Sequence, residues 1–291
     1  MQIVFQLGVH CTDDGRLVRS ILRSRAALDD KGIYVPGPRR YRSLLRETLT
    51  ILGGTRASED VEQLLLDSLI DSDGVERMLL FHENLITLPQ RAIAEDGLYA
   101  TLASRIAWIR NLFPSHEVEF HMALCNPATL IPTIALRHGA QDYETITAGV
   151  DVSRLSWLST IRRTLEANPD IGLTLWCNED TPLIWPDLLR SLSALPAATA
   201  MEGDLDMADA LLTDEGISAL RTELLAVSSN DFAERRDKIS QALESHGKPE
   251  EMAVEVSLPG WNDSLIAQLT ARYLADCAEI AELPGVRFIE P

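Results

Sequence analysis

Gln2-Ile-Val-Phe-Gln-Leu-Gly-Val-His-Cys-Thr-Asp-Asp-Gly-Arg-Leu-Val-Arg19 is the stretch from which the fold is read. A short apolar run passes through a polar turn holding two glycines into a pattern of helical period. That is a buried strand feeding a helix through a loop, the arrangement with which phosphate-binding α/β proteins begin. The turn, however, carries Cys11, Asp13 and Asp14 where a phosphate loop has cationic and small residues.

Downstream the strand and helix patterns alternate. Asp14 to Lys31 carries Leu17, Ile21, Leu22 and Leu28 at helical spacing and stops at Gly32. Ile33 to Pro36 reads as a short strand, Pro36 to Tyr41 as a rigid turn, and Tyr41 to Leu52 as a helix ending at Gly53. Ser58 caps a helix to Ile70, and Arg77 to His82 is an apolar strand. Leu98 to Phe113 is a helix with Leu102, Ile106, Ile109 and Leu112 inward. Glu117 to Leu124 alternates, as a strand does when one face is less buried. Pro127 and Pro182 each sit where a helix begins and a missing N–H costs nothing, and Ser153 to Ala167 is helical. Ile171 to Cys177 is a further strand. Strands alternating with helices predict a mainly parallel sheet covered on both faces, with Gln2–Val9, Arg77–Phe81, Glu117–Leu124 and Ile171–Trp176 as parallel neighbours.

Beyond Pro196 the pattern changes. Ala197 to Asp209 reads as a mobile acidic loop, followed by helices near 214–227, 231–246 and 262–281 and a short final strand after Pro284. The 291 residues, 46% of them hydrophobic, suffice for a full core; the expectation is one α/β domain over 1–291, with 197–291 mainly helical.

The net charge of −18 argues against nucleic acid or an anionic membrane as partner. Arg16, Arg19, Arg23, Arg25, Arg39, Arg40, Arg42 and Arg46 crowd the early chain, so a basic patch beside the first loop stands against the plainer reading of arginines on solvated helix faces. Apolar runs are strand-sized, so no membrane span is expected, and Met1 runs straight into the first strand with no leader pattern; the expected location is cytoplasmic. Cys11, Cys125, Cys177 and Cys277 are too scattered for a disulfide scaffold.

The order of these pieces resembles the bacterial sulfotransferase-like branch of the P-loop fold. Members open with a strand, then Gly-x-His-Lys-Thr-Gly-Thr-Thr, a helix, and Leu-x-x-x-Gly-Ile-x-x-Pro; here Gly8, His10, Thr12, Leu28, Gly32, Ile33 and Pro36 match. His82-Glu-Asn-Leu85 is similar to the family's acidic turn, Asn178-Glu-Asp180 to its Tyr-Glu-Asp segment, and the helix bearing Tyr273 to its close. The resemblance implies 3′-phosphoadenosine 5′-phosphosulfate as sulfuryl donor to a hydroxyl or amine. An active protein would bind it through Gly8, Thr12, Gly15, Arg16, Arg19 and Thr133, with His10 or Glu83 as the base that takes the acceptor's proton.

Three departures bear on that activity. Cys11 replaces the family's lysine, Asp13-Asp14-Gly15 replaces Gly-Thr-Thr, and Cys125 replaces the arginine that grips the 3′-phosphate, with Thr133 in the place of its serine partner. An uncompensated carboxylate about 4 Å from a phosphate costs roughly 4 kcal/mol at an effective dielectric near 20. A helix N-terminus returns only about 0.3–1 kcal/mol, occasionally 2. The expectation is therefore a degenerate member that has lost sulfuryl transfer, needs no cofactor and acts as a binding or regulatory protein toward a small molecule or protein. Two alternatives stand beside it: an active sulfotransferase using displaced arginines, and a Cys/His metal or thiol site. The last rests on topology, because His10, Cys11, His82, Cys125 and Cys177 all fall at carboxyl ends of strands, although packing alone accounts for lone cysteines. Trp157, Trp176, Trp185 and Trp261 read as core residues; Tyr99, His116 and His138 read as surface residues.

Overall fold

The structure is a computed structural model and describes all residues except 138, 140–142, 148, 229 and 253–257. The strands are β1 (Gln2–Leu7), β2 (Ile33–Tyr34), β3 (Arg77–His82), β4 (Ile93–Ala94), β5 (Gly97–Leu98), β6 (Glu117–Leu124), β7 (Gly172–Cys177) and β8 (Val286–Ile289). Six of them form one sheet in the order β2-β3-β1-β6-β7-β8. Every pairing in it is parallel. The four strands expected to be parallel neighbours therefore lie side by side as β3, β1, β6 and β7, while β4 and β5 make a separate antiparallel pair.

The helices are α1 (Arg16–Arg23), α2 (Arg25–Asp29), α3 (Pro38–Leu52), α4 (Glu59–Leu69), α5 (Leu102–Arg110), α6 (Pro127–Arg137) and α7 (Tyr143–Thr147). They continue with α8 (Trp157–Ala167), α9 (Thr181–Ser193), α10 (Asp206–Leu211), α11 (Asp214–Ala226), α12 (Phe232–His246), α13 (Pro249–Met252) and α14 (Asp263–Ala281). Among the described residues none is long and apolar enough to cross a membrane.

Period-two alternation divides the strands between two cores. Ile3, Phe5 and Leu7 of β1 join Phe120 and Met122 of β6 in the larger core, under α3, α4, α5, α6, α8 and α14. Val4, Leu79, Phe81, Ala123 and Trp176 face the other way, against Leu17 and Ile21 of α1 and Trp185, Leu188 and Leu189 of α9. A third, smaller core joins α10, α11 and α12 through Leu212, Leu220, Leu224 and Ile239. Helix ends follow local rules: the Ser58 hydroxyl accepts from Val61 N–H, and Pro127 opens α6. Pro132, inside α6, cannot donate to the carbonyl of Ala128, and Trp261 Nε1–H supplies that bond at 3.0 Å.

Several local expectations change. The helix expected from Asp14 to Lys31 is broken at Ser24, whose hydroxyl accepts from the backbone N–H of Glu202 at 3.0 Å. Beside it, a Cβ on Gly203 would lie 2.6 Å from Ser20 Cβ, so a glycine there lets the later chain lie against α1. The supposed rigid turn is already the start of α3, with Pro38 in its first turn. Gly97–Leu98 is strand, so α5 begins only at Leu102, and a short 3₁₀ turn at Val152–Arg154 precedes α8.

The acidic segment 197–209 is docked rather than a free loop. Met201 is buried, and Asp204 takes two hydrogen bonds from Arg190, at 2.6 and 2.7 Å. Asp206 accepts from Ser20 at 2.6 Å and pairs with Arg23. Part of the arginine-rich stretch is paired: Arg23, Arg25 and Arg40 pair with Asp206, Asp29 and Asp71, and Arg42 donates to the carbonyl of Phe81.

Candidate functional site

The chain leaves β1 toward α1 on one face of the sheet, whereas the connections after β3 and β6 lead to α5 and α6 on the other. The loop Gly8 to Gly15 thus emerges at a topological switch point, where open parallel sheets gather ligands. Gly8 has a packing reason: a Cβ there would stand 2.6 Å from Glu83 Cβ and 2.8 Å from its Cα. Thr12 Oγ1 donates to the carbonyl of Val9 at 2.9 Å. Gly15 takes the left-handed φ of 74° as α1 begins, and Cys11 and Asp14 also have positive φ, 61° and 49°.

The helix end that would receive an anion is filled from within. Asp13 Oδ2 accepts the backbone N–H of Leu17 at 2.9 Å, and the Asp13 carbonyl accepts that of Arg16 at 2.9 Å. Burial pushes the Asp13 carboxyl upward, and hydrogen bonds from the Leu17 and Gly15 backbone oppose the rise. Asp14 faces out and is clamped by Arg137, with Nη1 to Oδ1 at 2.6 Å and Nη2 to Oδ2 at 3.0 Å, which holds its carboxyl below the usual range. Arg19 donates to the Asp14 carbonyl at 3.1 Å. Thr133 turns back to the Thr129 carbonyl at 2.7 Å, inside α6.

His10 is buried and held on both ring nitrogens. Nε2–H donates to Asn84 Oδ1 at 3.0 Å, leaving Nδ1 to accept the Tyr99 hydroxyl proton at 2.7 Å. The same hydroxyl accepts the His10 backbone N–H at 2.9 Å. Tyr99 is thus fully buried, not the surface residue its helix-end position suggests, and it stacks between His10 and Trp157. A base role for His10 would require it to give up one of these partners, whereas Glu83 is exposed beside the loop. His116 is half-buried, and His138 lies outside the described residues.

Next to the loop, the ends of β6 and β7 form a second network. Glu179 accepts from the Asn126 backbone N–H at 2.9 Å, and its other oxygen lies 2.6 Å from the Tyr273 hydroxyl, itself 3.0 Å from the Leu124 carbonyl. Trp157 Nε1–H donates to the Cys125 carbonyl at 2.8 Å. Burial, reinforced by Glu179, pushes the Cys125 thiol well up, and burial raises Cys11 to about 11. Both stay protonated near neutral pH, so neither is an activated nucleophile. Cys177 instead meets Cys277 of α14, and the interaction of the two thiols lowers the Cys177 pKa and raises that of Cys277. His82 is buried apart from these, its Nε2 3.0 Å from the carbonyl of Arg42. Among the described residues no three His, Cys, Asp or Glu gather as a metal ligand set.

The expected loop, strand-end cysteines and Asn178 to Asp180 segment thus occupy one edge of the sheet. Sequence reasoning misses Arg137, meets Asn84 only as part of the His82 to Leu85 turn and puts Tyr99 on the surface; a helix-terminal arginine and a lone Tyr carry no periodic signal. The chain matches no protein-family model, and no curated protein sequence matches it.

Proposed function

We propose that this chain is a degenerate sulfotransferase-like P-loop protein, in a cytoplasmic setting, that has lost sulfuryl transfer and works as a binding or regulatory protein. The observation that carries the reading is the Asp13 carboxylate on the Leu17 N–H, because it occupies the helix-terminal donor that a P-loop offers to phosphate. Electrostatics supports it. The carboxylates of Asp14 and Glu83 stand beside Cys11, where the family has its lysine, and oppose an incoming anion, while Arg137 acts the other way. Calorimetric titration with 3′-phosphoadenosine 5′-phosphate tests the reading. No binding at submillimolar concentration is expected; submillimolar affinity that disappears in an Arg137→Ala variant would show a working loop.

One observation favours the active alternative. Arg137 brings a guanidinium to the loop from α6, and its pair with Asp14 is half exposed, with side chains 47% and 53% accessible. Such a pair is worth about 0–1 kcal/mol, little enough for a phosphate to displace Asp14. In that reading Arg137→Ala abolishes nucleotide binding and Asp14→Asn strengthens it.

A further inference from the structure

The alternation of β6 places Glu119 and His121 on the face opposite Phe120 and Met122. Gln2, Arg77, Thr174 and Arg287 arrive there from β1, β3, β7 and β8, and Arg190 and Ser191 face them from the last turns of α9. Together they line a cavity of about 750 Å³. That is the size of a small-molecule site. It lies at the amino-terminal halves of the strands, away from the Gly8 to Gly15 loop, so the inference does not depend on how that loop is read.

Most of the lining is satisfied internally. Arg77, buried, donates Nε–H to the Leu192 carbonyl at 2.8 Å and its other N–H groups to Gln2 and Glu119. Gln2 Nε2 donates to Glu119 Oε2 at 2.9 Å, Arg190 pairs with Asp204, and Asp187 pairs with Arg236. What is left over is specific. His121 is 2% exposed, and its Nε2 lies 3.0 Å from Glu119 Oε1. The ionised carboxylate can only accept, so the ring proton sits on Nε2. Burial keeps the ring neutral, which makes Nδ1 an acceptor, and that buried atom has no protein partner. Ser191 Oγ is likewise buried and unpartnered. Buried polar atoms are ordinarily paired, and both orphans belong to residues that line this cavity, where a small side-chain shift would present them to a ligand. At the edge, the exposed Arg287 has no acidic partner among the described residues.

We propose that this cavity binds a small hydroxylated organic anion, with one hydroxyl donating to His121 Nδ1, another meeting Ser191, and a carboxylate or phosphate facing Arg287. The register fixes the length. His121 pairs with Thr174 and Thr174 with Arg287, so the hydroxyl and anion sites stand two strands apart. That separation is roughly 10 Å along the backbone row, the reach of a six-carbon sugar acid or sugar phosphate between converging side chains.

The test uses the full chain labelled with ¹⁵N-histidine and four probes: D-gluconate, D-glucose 6-phosphate, D-glucose and inorganic phosphate. The expected result is that gluconate or glucose 6-phosphate moves the His121 Nδ1 resonance at millimolar concentration, and the stronger of the two identifies the acid. Glucose and inorganic phosphate, each offering half of the recognition, bind about tenfold or more weakly, and Arg287→Gln weakens the acid probe by about tenfold while the fold is intact. Thr174→Val, in the middle of the row, provides a second variant with a smaller loss. Absence of any Nδ1 shift with both acids overturns the proposal, as do equal binding of glucose or phosphate and unchanged affinity in Arg287→Gln.

Discussion

His82 gives a sharp test of whether the strand-end histidines are packing groups or ligands. It is 4% exposed, donates Nε2–H to the carbonyl of Arg42 at 3.0 Å, and buries Nδ1 without a partner. Burial first, then the charges of Arg42 and Arg46, outweigh the Arg42 carbonyl bond and lower its pKa from 6.5 to about 4. The folded value lies below the unfolded one, so unfolding takes up a proton between them and stability falls as pH drops through that window. At about 1.4 kcal/mol per unit, the whole shift corresponds to roughly 3 kcal/mol, of which about 2 kcal/mol is lost between pH 7 and pH 5. His82→Gln keeps a donor for the Arg42 carbonyl and removes the titration. Urea unfolding at pH 7 and pH 5 should therefore show the native chain losing about 2 kcal/mol more than the variant, with other titrating groups cancelling in the difference. Parallel profiles, or a native chain that gains on the variant as pH falls, would refute the neutral buried histidine.

Three further outcomes follow from the packing. Gly8→Ala drives a methyl into the Glu83 backbone and should cost about 1–3 kcal/mol in urea unfolding; an unchanged midpoint would remove the packing account of this glycine. Asp204→Asn leaves Arg190 largely buried without its charge partner, at a cost of up to about 3–5 kcal/mol, and should speed proteolytic cleavage within 197–205; an unchanged cleavage rate would show that the acidic segment is not held by this pair. With an aromatic disulfide reagent near neutral pH, Cys177 should label first, Cys11 slowly because its thiol sits at about 11, and buried Cys125 and Cys277 only on unfolding; mass mapping that finds Cys125 among the fast sites would contradict its closed environment.

By itself the sequence determined the architecture's framework. Nearly continuous apolar runs in Ile3 to Leu7 and in Met78 to Phe81, and helical spacing between such runs, are local signals that force burial and crossover connections. That β1, β3, β6 and β7 are parallel neighbours follows from them, whereas their order β3-β1-β6-β7 does not. Caps such as Ser58 and Pro127 were legible for the same reason, since their effects act within one turn. The alternation of Glu117 to His121 also announced a strand with one polar face, although not the cavity it lines. Tertiary structure alone decided what depends on atoms far apart in the chain. Ser24 breaks a helix because Glu202 arrives at its hydroxyl, Tyr99 is buried because His10 stacks on it, and Asp14 is clamped because α6 ends at Arg137 beside it. Hydrophobic period encodes which face is buried and carries no address for a hydrogen-bond partner 89 to 178 residues away, so those partnerships exist only once the sheet has brought the strand ends together.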